Sequence, residues 1–108
     1  MKKWKLILDW QYTYDKEGTW SDYEDGVSEF DLVEGASYSA PNMRRKTIDI
    51  RSFKEENGVA IAEIYTDYHT YVVRSDEDGV PGNCEDSYTA GGDSVSVSLC
   101  FTARIESK

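Results

Sequence analysis

Both ends of the chain alternate between apolar and polar residues with a period of two. Trp4, Leu6, Leu8, Trp10, Tyr12 and Tyr14 hold one parity, and Lys3, Lys5, Ile7, Asp9, Gln11 and Thr13 the other. Near the C-terminus Val95, Val97, Leu99, Phe101, Ala103 and Ile105 alternate with Ser94, Ser96, Ser98, Cys100, Thr102 and Arg104. Strand side chains alternate between two faces, whereas a helix repeats every 3.6 residues and would scatter each set around its circumference. Two long strands, each with one buried face, are therefore expected at the ends, and they should supply much of the core.

Shorter strand signals lie between them. Asp15-Lys16-Glu17-Gly18 reads as a hairpin turn, with Gly18 free to take positive φ. Thr19 to Tyr23 reads as a return strand that Glu24-Asp25-Gly26 interrupts. Val27 to Val33 is a further strand, but its apolar residues do not keep to one face, which leaves a short helix as the alternative. Residues 35–46 form a connection containing Pro41 and Asn42, with room for one helical turn. Thr47 to Phe53 alternates with Ile48 and Ile50 inward. Asn57-Gly58 is a strong hairpin signal. Val59 to Thr66 is apolar on both faces, as in the middle of a sheet, and a turn near Asp67-Tyr68 leads to a strand over His69 to Ser75. Residues 76–93, rich in glycine and acids, read as a long polar loop.

These elements predict an all-β fold with at most one short helix: an antiparallel β-sandwich or partly open β-barrel of about six or seven strands. The 108 residues are 39% hydrophobic and 13% aromatic. That suffices for one domain over residues 1–108 with its own core and no metal or disulfide staple. Two cysteines, Cys84 and Cys100, are too few for a disulfide framework and are expected to be reduced thiols. The basic start, Met-Lys-Lys-Trp-Lys, is followed by only three apolar residues before Asp9, far short of a signal-peptide core. No run reaches membrane-spanning length. A cytoplasmic protein is expected.

Charge is segregated along the chain, with a net value of −9. Residues 9–35 carry nine acids and one base, and residues 55–93 ten acids and one base. Between them lies a basic island, Arg44, Arg45, Lys46, Arg51 and Lys54. A protein of this sign repels nucleic acid and anionic membranes, so neither is expected as a direct partner; a basic macromolecule is. Within so negative a molecule, the basic island is expected to compensate an acidic segment of the same chain, to help two subunits meet, or to guard an edge strand.

Several constellations could carry chemistry. Aligned to a calcium-loop template, Arg74 to Glu85 places Asp76, Asp78, Gly79 and Glu85 at ligand or turn positions, but puts a cation at the first ligand position. A weak calcium site at Asp76, Asp78 and Glu85 is the most that this supports, and no other metal or cofactor is expected. His69 is the one ordinary general base near neutral pH. Cys84, in acidic surroundings, should have a raised pKa and blunted reactivity. Trp4 and Trp10 alternate in step with leucines and read as core, whereas Trp20, Tyr23, Tyr38 and Tyr88 are free to contact a partner.

The acids form the collective feature. Along a strand, residues two apart share a face at about 6.6 Å spacing. Asp22/Glu24, Glu29/Asp31 and Asp76/Asp78 have that spacing. Duplex DNA also presents closely spaced negative charge, about one per 1.7 Å of axis. In composition the chain resembles DNA-mimic inhibitors, among them small phage anti-defence proteins. That resemblance implies a non-enzymatic inhibitor or regulator of a basic partner such as a nuclease or nucleic-acid-guided effector. The expected contact set is Trp20, Asp22, Tyr23, Glu24, Asp25, Glu29, Asp31, Tyr38, Asp76, Glu77, Asp78, Glu85, Asp86 and Tyr88, on a monomer or homodimer. Two alternatives remain: a β-sandwich or barrel that binds a carbohydrate or small apolar ligand in an aromatic-lined pocket, and a small enzyme using His69.

Overall fold

The computed structural model describes residues 3–17, 20–43 and 45–108, except for the side chain of Trp20. Gly18, Thr19 and Arg44 lie outside the described residues, as do the side-chain expectations for Trp20. Eight strands follow in order: β1 (Trp4–Lys16), β2 (Trp20–Asp31), β3 (Ser37–Ser39), β4 (Thr47–Glu56), β5 (Val59–Thr66), β6 (His69–Arg74), β7 (Val80–Ala90) and β8 (Asp93–Ser107). They form two antiparallel four-stranded sheets, ordered β2-β1-β8-β7 and β3-β4-β5-β6. The fold is all-β, in sandwich form, with eight strands where six or seven were expected.

The two alternating end segments are the central pair of the first sheet. β1 and β8 run antiparallel in register from Trp4↔Ser107 to Lys16↔Val95, so their apolar parities fall on one face. Leu6, Leu8, Val95, Leu99 and Ala103 are fully buried there, against Ile48, Ile50, Ala60, Ala62, Ile64 and Val73 of the second sheet. β5 lies between β4 and β6, in keeping with its two-sided apolar pattern. The Asn57-Gly58 hairpin carries positive φ at both residues, 52° and 80°, as a tight antiparallel turn requires.

Four sequence expectations give way. Glu24-Asp25-Gly26 does not interrupt a strand: β2 is continuous and pairs with β1 in unbroken register from Asp31 to Trp20. The strand reading of residues 27–33 holds over 27–31, which continue β2, and it is the helix alternative that gives way: no helix occurs among the described residues, in residues 27–33 or in 35–46. Most of the expected polar loop at 76–93 is β7, whose inward parity is Val80, Gly82, Cys84, Asp86, Tyr88 and Ala90. That parity is too small and polar to register as alternation. Pro81 is tolerated because it sits on an edge strand with its ring nitrogen directed away from β8.

The fourth expectation concerns Ile7, which has polar parity yet is only 2% exposed. In register it lies between Glu29 of β2 and Arg104 of β8. Lys5 pairs with Glu29, and Arg104 with Asp9 and Glu106. The aliphatic stems of these paired side chains account for its burial.

Candidate partner-binding surface

The structure does not gather the acids into one row. Glu29 is bound by Lys5 at 2.8 Å, which holds its carboxyl below the usual range, and Asp31 is bound by Lys108. Asp76 accepts two bonds from the Arg74 guanidinium at 3.0 Å, which lowers its pKa, and Glu77 lies 3.5 Å from the same group. Asp86 is held by Arg45 in a bidentate pair at 3.0 Å. Five of the candidate acids are thus matched by cations of the same chain.

The basic island is used in the same way. Arg45 also donates to the Ser87 carbonyl, Lys46 binds Asp67 at 2.7 Å, and Lys54 lies 3.2 Å from Glu56. Arg51, the extra residue of a bulge between Ile50 and Ser52, stacks over the Tyr65 ring at 3.9 Å. Arg45, Lys46 and Lys54 are thus paired with acids of the same chain, whereas Arg51 rests on an aromatic ring.

Of the candidate acids outside these ion pairs, Asp78 lies in the β6–β7 turn and Glu85 on β7, whereas Asp22, Glu24 and Asp25 lie together at one end of the first sheet. Its strands run to 11–15 residues, against 3–10 in the second sheet. Burial along the inner face of β1 falls accordingly: Leu6 and Leu8 are buried, while Trp10, Tyr12 and Tyr14 are half-buried. A groove of ≈ 850 Å³ opens there, with Tyr12, Tyr14, Tyr88 and Val97 on the sheet side and Ala40, Asn42 and Met43 on the other. The Arg45–Asp86 pair closes one wall.

Asp22 and Glu24 stand on the inner face of β2 beside this groove, opposite Tyr14 and Tyr12 in register. Glu24 accepts a bond from Asn42 at 3.0 Å. Asp25, on the outer face, meets the Tyr23 hydroxyl at 3.4 Å. Among the described residues no cation reaches Asp22, Glu24 or Asp25 in an ion pair. The Tyr23 hydroxyl pKa is raised, by desolvation first and then by the Asp25 carboxylate.

Other candidates disperse. Tyr38 stacks on Phe30 with ring centres 5.0 Å apart and donates to the Asp31 carbonyl, so it clasps the two sheets together. Glu85 projects from the outer face of β7 within a regular ladder, away from Asp76. Among the described residues no group of three or more potential metal ligands converges. His69 is exposed at the start of β6, its ring centre 6.4 Å from that of Tyr71.

Cys84 is not in a loop. It is fully buried on β7, 3.0 Å from the Thr66 hydroxyl, and burial pushes its thiol pKa up. Cys100 is exposed on the opposite face of the same sheet, and both thiols are free.

The groove residues Tyr12, Tyr14, Asn42, Met43 and Val97 were not expected at a site. The signal was present in β1, whose inward parity grades from Leu-Leu through Trp to Tyr-Tyr as the second sheet runs out. No known protein family, curated protein or solved structure matches the chain.

Proposed function

We propose that this chain is a non-enzymatic binding protein for a basic macromolecule, and that the contact lies at the overhanging end of β1 and β2. The reading is carried by one observation: Asp22, Glu24 and Asp25 have no ion-pair partner among the described residues, and Asp22 and Glu24 stand beside a tyrosine-lined groove. Carboxylates not already neutralised give the longer-range attraction, and tyrosines give apolar contact at little entropic cost. Mimicry of nucleic-acid charge along a whole face receives less support, because Glu29, Asp31, Asp76, Glu77 and Asp86 are already paired. A basic nuclease or nucleic-acid-guided effector remains the partner class that this chemistry suits.

The test is fluorescence polarisation with a labelled oligolysine peptide and a panel of basic nucleases, repeated as salt rises. Binding that weakens with salt, and weakens by about tenfold in Asp22→Asn/Glu24→Gln, is expected. No binding, or binding indifferent to both salt and the double substitution, would overturn the reading. The volume of the groove favours a second reading, a sugar or small apolar ligand held between Tyr12, Tyr14 and Tyr88. Quenching of intrinsic fluorescence across a sugar array would separate the two.

A further inference from the structure

The edges of the two sheets are not equally protected. β3 and β6 are short, at 3 and 6 residues, which limits what can add to them. On β7 the residues directed away from β8 are the odd-numbered ones. From Pro81 to Ser87 every outward N–H is absent or taken: Pro81 has none, Asn83 N–H donates to the Tyr71 hydroxyl at 3.4 Å, Glu85 N–H to Asp67 at 3.0 Å, and Ser87 N–H to Asp86 at 2.9 Å.

β2 differs. Leu32 N–H donates to the Trp4 carbonyl, so by alternation the even residues of β2 bond to β1 and the odd residues point outward. Two outward groups are occupied: Tyr23 N–H by the Asp22 carboxylate at 2.8 Å, and the Asp31 carbonyl by the Tyr38 hydroxyl at 2.7 Å. Between these stops, no protein group among the described residues bonds to the outward N–H and C=O of Asp25, Val27 and Glu29. The open stretch is about 14 Å long. No bulge or proline interrupts it, and Val27 is 59% exposed upon it.

We propose that this edge binds the basic partner by strand addition, a reading that rests on the cationic partner inferred above. The occupant is an extended segment of the partner that sets an apolar residue beside Val27 and a Lys or Arg beside Asp25, the acid of this edge with no ion pair among the described residues; Glu29 is already held by Lys5, so a second cation there only adds to that pair. Its backbone takes up the outward groups of Asp25, Val27 and Glu29. Its alternate side chains lie beside Asp25, Val27 and Glu29 on the outer face of the sheet. A second copy of this chain is the wrong occupant. A two-fold pairing centred on Val27 sets Asp25 of one copy opposite Glu29 of the other, whose cation, Lys5, is already taken up, so the pairing brings two acids together and supplies no new cation for either Asp25.

The experiment is a titration of the 15N-labelled full chain with a capped peptide carrying Lys-Thr-Val-Thr-Lys, followed by NMR and amide exchange. The amides of Asp25, Val27 and Glu29 should shift downfield and exchange about tenfold more slowly, with Gly26 and Ser28 little changed. Val27→Pro removes an outward N–H without touching the β1 ladder and should weaken binding about tenfold. A control independent of that variant is the peptide N-methylated at alternate residues: one register should abolish binding and the other keep it. Shifts confined to Tyr12, Tyr14 and Tyr88 would overturn strand addition and leave the basic-partner reading standing. Protection of the edge that grows with protein concentration alone would replace the partner by a second copy. No response to this peptide or to oligolysine would overturn both proposals.

Discussion

The indole of Trp10 lies over Gly26, its cross-strand neighbour, so closely that a Cβ on Gly26 would stand 2.6 Å from Trp10 Cζ2. The indole N–H then reaches the Ser28 hydroxyl at 3.0 Å. Across the same sheet Phe101 covers Gly82 in the same way, with a Cβ on Gly82 2.4 Å from Phe101 Cζ, and Tyr71 packs edge-on against that ring at 5.7 Å. Gly26, Trp10, Phe101 and Gly82 form one row across four strands. Each edge glycine is shielded by an aromatic from the strand beside it.

Gly26→Ala should therefore destabilise the protein by about 1–3 kcal/mol, because the indole must leave its place for the new methyl group. Urea unfolding gives the loss, and altered tryptophan emission in the folded state reports the displaced ring. An unchanged midpoint would mean that Trp10 does not hold this position.

The same row shows how far the sequence could be read. β1 and β8 were legible because large apolar residues alternate with polar ones over the whole of both strands. β2 was legible only as two pieces, because Gly26 looks like a break until Trp10 is seen to need its missing side chain. β7 was hidden because its inward parity is built of Gly82, Cys84, Asp86 and Ala90, whose fit depends on Phe101, Thr66 and Arg45. The state of the acids was also out of reach. Lys5–Glu29, Arg45–Asp86 and Lys108–Asp31 join residues 24, 41 and 77 positions apart, and only the strand order brings them together.

Ile7 offers a test of the outer face. Ile7→Ala should cost about 2–4 kcal/mol, like a core truncation, although its sequence parity is that of Lys5 and Asp9. Lys5→Ala, which removes only a partly exposed ion pair, should cost at most about 1 kcal/mol. Equal, small losses in thermal or chemical unfolding would show that the paired side chains do not shield Ile7.

The two thiols should differ in reactivity. Burial raises the pKa of Cys84 and withholds it from solvent, while Cys100 is exposed on the outer face. Iodoacetamide under native conditions should modify Cys100 alone, with Cys84 labelled only after denaturant is added. Peptide mass spectrometry reads both sites, and prompt native labelling of Cys84 would contradict its place against Thr66.

Asp67 ties three separate segments together. It accepts Lys46 Nζ at 2.7 Å on one oxygen and Glu85 N–H at 3.0 Å on the other, and it occupies the β5–β6 turn at φ 50°. The Lys46 bond, ahead of the opposing effect of burial, lowers the Asp67 pKa, and the same bond raises that of Lys46. The acid's contribution is therefore complete above its ordinary pKa of about 3.9 and is lost as pH falls through the lower folded value. The lysine's contribution is complete below about 10.4 and is lost as pH rises through the higher folded value. Asp67→Asn keeps a residue that tolerates positive φ but removes the charge, and should cost about 1–2 kcal/mol at neutral pH. The gap from wild type should be widest between about pH 5 and 10 and shrink towards both extremes. Urea unfolding of both proteins across that range measures it. A gap that persists undiminished at pH 2 would place the effect in turn geometry rather than in the ion pair.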